Sequence, residues 1–232
     1  MKFLGLETAS EVCAVGMYDP VAGACDRFRV ASHIHSEKLL TLVQEVCDAS
    51  HVTLKEIDGV AVSIGPGSFT GLRIGLSTAK GLCVALGKPL YGVPTFEAIA
   101  TAACETHRSQ DSVVIVVDAR QGDFYTARYR RSGGRMDTER EVSVAPAADL
   151  KLVAGDARLI VTDRPAQLRG VVSSDASIVE AKEYCRGSVV AMLGARKHKA
   201  KDASDVASIE PVYLKDFIVR TGSAVSAGQP RI

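Results

Sequence analysis

Gly65-Pro66-Gly67-Ser68-Phe69-Thr70-Gly71-Leu72-Arg73-Ile74-Gly75 connects an apolar run, Gly59 to Ile64, to a long helical pattern that ends near Gly87. The run before the corner is continuously apolar, the mark of a strand covered on both faces. Ser68 caps the helix that follows, and Lys88-Pro89 lie just past its end. Strand, glycine corner and helix in this order point to an α/β protein. The corner also offers free N–H groups at a helix N-terminus, which attract phosphate. The established phosphate and nucleophile signatures nevertheless fail here. No lysine stands where a Walker A loop needs one, and Thr70 occupies the third glycine of the dinucleotide fingerprint. The serine-hydrolase elbow is missing, and Ser77-Thr78-Ala79-Lys80 matches Ser-x-x-Lys without its companion motifs.

Within the helix, Gly71, Gly75 and Ala79 recur every fourth residue and form a smooth stripe on one face. An interior glycine costs about 1 kcal/mol relative to alanine, so close backbone approach by another element should offset it. That element is either part of the same domain or a partner. Upstream, Ser36 opens a helix to about Ala49 with Glu37 in its first turn. Leu39, Leu40, Leu42, Val43, Val46 and Cys47 cover more than one of its faces. This helix is either buried between layers or meets a partner.

Before it, Lys2–Glu7, Cys13–Tyr18 and Ala24–Val30 read as strands, with a turn at Asp19-Pro20. After the corner helix come a strand, Pro89–Val93, and a helix, Thr95–Cys104. The pattern then resets around His107 to Asp111. Val113–Val117 is an apolar strand ending in Asp118, a turn follows, and Phe124–Tyr129 is the next strand. The chain start has the same plan: an apolar strand ending in Glu7, a polar turn, then a strand from Cys13. This echo suggests two related halves: a first lobe over residues 1–106, a smaller degenerate second lobe over 107–220 and a flexible tail over 221–232. In the second half Gly133-Gly134 forms a hairpin turn, Arg158–Thr162 a strand and Ser188–Lys197 a helix. Pro146–Gly155 and Asp163–Ala176 read as loops or short elements.

Of 232 residues, 47% are hydrophobic and 24% charged, within the range of an ordinary globular protein. The net charge of +1 gives no whole-chain footprint for nucleic acid. The start lacks signal-peptide features and no run is long enough for a membrane span, so a cytoplasmic location is expected. Six scattered cysteines contain no Cys-x-x-Cys pair and read as buried reduced thiols. His33 and His35 could form a metal pair or be surface and cap histidines, and no further ligand joins them nearby. The basic run Arg196-Lys197-His198-Lys199-Ala200-Lys201 is a solvated helix end or a modest RNA-facing patch.

Several segments carry a resemblance to a known family. They are Leu4-Gly5-Leu6-Glu7-Thr8-Ala9-Ser10, His35-Ser36-Glu37-Lys38-Leu39-Leu40, the Gly65–Gly75 block and Gly92-Val93-Pro94-Thr95. Asp118-Ala119-Arg120-Gln121-Gly122-Asp123-Phe124-Tyr125 and Pro211-Val212-Tyr213-Leu214-Lys215 continue it in order. Together they resemble the TsaB (YeaZ) family, from residue 1 to about 216 and most densely through residue 130. The resemblance implies an α/β actin-like (ASKHA) duplicated mixed-sheet fold in two lobes. It also implies an accessory subunit of the bacterial tRNA threonylcarbamoyladenosine complex. That subunit is a homodimer binding the catalytic paralogue TsaD, with a TsaE-like ATPase taking part and tRNA touched only indirectly.

The catalytic paralogue carries a His-x-x-x-His metal pair where this chain has Thr95 and Ile99, and neither side chain can replace imidazole. The expectation is therefore a pseudo-enzyme with no catalytic residue, metal or cofactor of its own, and with ATP or ADP, if any, at the partner interface. The candidate partner or dimer surface comprises Ser36, Leu39, Leu40, Val43, Ser68, Phe69, Gly71, Leu72, Gly75 and Ala79. The candidate nucleotide-facing turn comprises Glu7, Thr8 and Ser10, with Glu7 where the subfamily more often shows Asp. The rival readings are a glycoprotease-like metallohydrolase and a small-molecule kinase of the same superfamily, the latter using Glu7 or Asp118 near phosphates.

Overall fold

The computed structural model describes residues 1–31 and 34–215. His33 of the suggested metal pair and the tail from residue 221 therefore lie outside the described residues. The first lobe begins with β1 (Phe3–Glu7), β2 (Val12–Asp19), β3 (Gly23–Val30) and helix α1 (His35–Ser50). It continues through β4 (Gly59–Ser63), α2 (Phe69–Leu86), β5 (Leu90–Val93) and α3 (Thr95–Thr106). The second contains β6 (Ser112–Asp118), β7 (Asp123–Ser132), β8 (Arg135–Pro146), α4 (Leu150–Ala154), β9 (Leu159–Thr162), α5 (Pro165–Leu168) and β10 (Ser177–Glu180). A final helix, α6, spans Gly187–Lys199.

The two sheets have one topology. The first is ordered β3-β2-β1-β4-β5 and the second β10-β9-β6-β7-β8. In both, the first two hairpins are antiparallel and the fourth strand joins the first in parallel. Thus β6 to β10 repeat β1 to β5 strand for strand, and the carboxylates Glu7 and Asp118 end equivalent strands. The echo in the sequence is a true duplication of the α/β actin-like plan.

Strand periodicity decides the layers. Leu4 and Leu6 of β1 face α1 and α2 together with Cys13, Val15 and Met17 of β2. Phe3, Val12 and Ala14 face the opposite way, into a core shared with α3, α6 and the inner face of the second sheet. On the far face of that sheet Val114, Val116 and Ile160 pack against α4 and the segment ending at Leu168. Helix α3 lies in the middle layer and is buried almost all round, which explains its run of alanines.

The second half goes beyond or departs from the expected elements in three places. The Gly133-Gly134 turn leads into a twelve-residue edge strand, β8, paired with β7 and held on its exposed face by Arg128–Glu139 and Arg130–Glu139 ion pairs. Strand β10, absent from the expected elements, pairs in parallel with β9. Helix α6, placed in the second lobe by its position in sequence, packs on β1, β2, β4 and β5 of the first sheet. Gly5, Gly16 and Gly187 make this docking possible, because the α6 N-terminus touches the two strands backbone to backbone and leaves no room for Cβ atoms. The contact is closed by Asp26, whose carboxylate accepts from the Ser188 N–H at 2.8 Å and from its hydroxyl.

Among the described residues no helix is long and apolar enough to cross a membrane. All six cysteines are unpaired, five buried and Cys25 half-buried.

Candidate functional site

The β1–β2 turn, the glycine corner and the start of α2 meet at one place. Glu7, the last residue of β1, is only 1% exposed. Its Oε1 accepts from the Ala9 N–H at 2.7 Å, and its Oε2 accepts from the Ser63 hydroxyl at the end of β4. Burial pushes the Glu7 carboxyl above the usual carboxylate range, against the pull of those two hydrogen bonds. The same carboxylate adds to burial in raising the neighbouring Cys13 thiol to about 11.

The corner is bolted to this turn from the other side. The Ser68 N–H donates to the Ala9 carbonyl at 2.6 Å, and the Gly65 N–H donates to Thr95 Oγ1 at 3.0 Å. The Gly65–Pro66 peptide is cis. Ser68 caps α2 as expected, its hydroxyl accepting from the Gly71 N–H at 3.2 Å. Ser10 is half-buried: its Oγ accepts from the Val12 N–H at 3.1 Å and points to Cys185 Sγ at 3.5 Å.

The candidate surface residues divide sharply. Leu39, Val43, Leu72, Gly71, Gly75 and Ala79 are buried within this chain. The smooth stripe on α2 receives Thr8: a Cβ on Gly71 would strike the Thr8 carbonyl, and one on Gly75 would strike its hydroxyl. These six residues therefore serve packing inside the lobe, and the stripe has no room for a partner helix. Ser36, Leu40 and Ser68 are exposed, and Phe69 is half-buried. Leu40 stands 62% exposed on α1, and Val84, which sequence reading did not single out, 75% exposed on α2. Gly81 also faces outward on α2, with no atom within 4 Å of the place a Cβ would occupy. Its signal in the sequence was an interior helical glycine off the Gly71–Ala79 stripe.

At the expected nucleotide-facing turn the first two side chains point inward. Glu7 and Thr8 face the interior, and Thr8 Oγ1 is a buried oxygen without a hydrogen-bond partner. The equivalent carboxylate in the second lobe is more open. Partial burial opposes its ionisation, but the Arg164 guanidinium at 2.5 Å and the Arg120 N–H at 2.7 Å hold Asp118 below the usual range.

His35 is buried with Nε2 3.4 Å from the Val12 carbonyl, a packing role. Thr95 and Ile99 are each 3% exposed. Among the described residues no group of three His, Cys, Asp or Glu side chains could hold a metal ion. In the basic run, His198 turns inward to Tyr91, with Nδ1 2.7 Å from its hydroxyl, and Lys197 pairs with Asp202 at 2.5 Å. The remaining cations cluster at the α6 C-terminus, where the helix dipole favours them.

A model of the family described as TsaD, tRNA N6-adenosine threonylcarbamoyltransferase, matches residues 29–166. The tRNA threonylcarbamoyladenosine biosynthesis protein TsaB of Escherichia coli is 35% identical over 132 residues, 56% of this chain and 56% of that protein. The match to the Haemophilus influenzae protein of the same name covers 57% of its length, so this chain spans little more than half of these relatives. The Bacillus subtilis TsaB is 25% identical over 229 residues, 93% of this chain and 94% of that protein. The structure of YeaZ from Pseudomonas aeruginosa superposes with a TM-score of 0.78 at 23% identity, covering 92% of this chain and all of that one, which speaks for the fold. The duplicated sheets, the sealed glycine corner and these matches agree: the chain belongs to the TsaB (YeaZ) family, and the TsaD family model matches more than half of it.

Proposed function

We propose that this chain serves tRNA threonylcarbamoyladenosine biosynthesis as a non-catalytic subunit, docking on a TsaD-like catalytic paralogue through the outer faces of α1 and α2. The observation that carries this reading is the consumption of the would-be active turn by the fold itself. Glu7 is tied to Ser63 and Ala9, and the Thr95 hydroxyl is engaged by the Gly65 N–H. Side chains held this way cannot turn toward a substrate without dismantling the lobe.

Meanwhile α1 and α2 present Leu40, Gly81 and Val84 outward. A helical glycine whose Cβ position is open costs about 1 kcal/mol that nothing inside the chain offsets. Close approach by a partner helix supplies the compensation. Homodimerisation would draw on the same helices, and a TsaE-like ATPase would join the assembled pair. With a net charge of +1, the chain leaves tRNA contact to its partner. Any ATP or ADP is assigned to the partner interface, since Glu7 and Thr8 are turned into the lobe.

The test is calorimetric titration of the chain against a TsaD-like protein, with a threonylcarbamoylation assay run with and without it. Binding and stimulation are expected, and Gly81→Leu should remove both while circular dichroism stays unchanged. Full binding by the Gly81→Leu protein would sink the surface assignment. Turnover by the chain alone would sink the non-catalytic reading.

A further inference from the structure

Residues 204–215 begin on one lobe and end on the other. The Ser204 N–H donates to the Leu90 carbonyl beside β5 at 2.8 Å, and its hydroxyl accepts from the Gly92 N–H at 3.0 Å. Further along, Lys80 Nζ donates to the Ala207 carbonyl at 3.1 Å. The Val212 N–H then donates to the Ile64 carbonyl at 2.7 Å, one residue past the end of β4. Tyr213 stacks on Phe69 with ring centroids 4.9 Å apart, and its hydroxyl accepts from Arg73 Nε at 3.0 Å.

Two residues later the chain has crossed to the second lobe. The Lys215 ammonium lies 2.7 Å from Asp123 Oδ2, 3.0 Å from the Arg120 carbonyl and 3.2 Å from the Ala119 carbonyl. An ammonium has three donors, and three oxygens meet it here, one of them charged. The β6–β7 turn builds this cradle by an uncommon route: Arg120 and Gln121, neither of them glycine, adopt φ of 66° and 60°. Such residues enter the left-handed region at a cost of roughly 1 kcal/mol each and persist there only where the surroundings require it.

In α/β folds a ligand sits outside the carboxyl ends of the strands. Strand β4 ends at Ser63 and β6 at Asp118, and the segment links Ile64 to Ala119, just outside both ends. We propose that residues 204–215 form an intramolecular strap, latched by the Lys215 ammonium in its three-oxygen cradle, that takes the place of a ligand bridging the two lobes. The latch also governs the surface at the start of α2, because the same strap holds Tyr213 against Phe69 and Arg73. A second-lobe turn thereby sets the shape of a first-lobe surface.

Amide hydrogen exchange on the full chain tests this, since protection reads local opening directly. In both Lys215→Met and Asp123→Asn the protection of the Val212 N–H should fall about fivefold, the scale of one partly exposed charged pair. The Ile64 N–H, which donates to the Val93 carbonyl at 2.9 Å in the sheet beneath, should keep its protection and so report an intact fold. Val212 protection that stays at the wild-type level in either variant would overturn the latch.

Discussion

Thr8 fills the notch that Gly75 leaves on the inner face of α2. Its hydroxyl lies where a Cβ on Gly75 would have to go, and its carbonyl blocks the same position on Gly71 one turn earlier. The contact joins the β1–β2 turn to the helix launched by the glycine corner. Gly75→Ala should therefore destabilise the isolated chain: overpacking costs about 1–3 kcal/mol and outweighs the roughly 1 kcal/mol gain in helix propensity. In a Thr8→Ala background the same substitution should be neutral or stabilising. Urea denaturation of the four proteins in this cycle measures both effects, and equal stabilities throughout would refute the contact.

Gly81 on the same helix should behave in the opposite sense. Its Cβ position is empty, so Gly81→Ala should raise the stability of the isolated chain by about 1 kcal/mol. A loss of stability in urea would mean that the position is already filled within the chain.

Glu7 should leave a signature in the pH dependence of stability. Burial raises its carboxyl, so the folded chain keeps this proton at pH values where the unfolded chain has released it. That contribution is fully present below the ordinary carboxylate range and is lost as pH rises through the raised value. Gln keeps an acceptor for the Ala9 N–H and a polar partner for Ser63 but does not titrate. Glu7→Gln should gain on the wild type as pH increases from about 4 to 8. Urea midpoints that differ by a constant amount over this range would refute the raised carboxyl.

Gly187 should tolerate no side chain. A Cβ there would enter the backbone of Val15 and Gly16, and β2, paired on both edges, cannot yield without breaking its pairing. Gly187→Ala should cost about 3 kcal/mol or more, at the upper end for a single substitution. Thermal unfolding checks this, and a melting temperature equal to wild type would show that α6 docks elsewhere.

Much of the fold was legible because its signals are local. The alternation in Cys13–Tyr18, the cap at Ser68 and the apolar run before Asp118 each act within a few residues, and all three elements stand where expected. Strand β8 was obscured because it is an edge strand with charged and polar side chains on most positions, which erases period-two alternation. Four-residue β10 is too short to carry a pattern. On α1 the apolar surplus was visible, but periodicity alone could not tell that Leu39 and Val43 point inward while Leu40 points out.

The segment from Gly65 to Gly75, read alone, determined a strand, a corner and a capped helix with one smooth face, together with the family that carries them. Sequence also determined that two carboxylates would close equivalent strands, because duplication writes the same order of local patterns twice. Tertiary structure decided what meets what: Thr8 rather than a partner fills the smooth face, and Glu7 is sealed by Ser63. It likewise decided that α6 returns to the first sheet and that Lys215 reaches the second. Propensity and periodicity act over a turn of helix or a few strand residues. Contacts such as these join positions from 56 to more than 162 residues apart and are selected by packing and charge, which no local window contains.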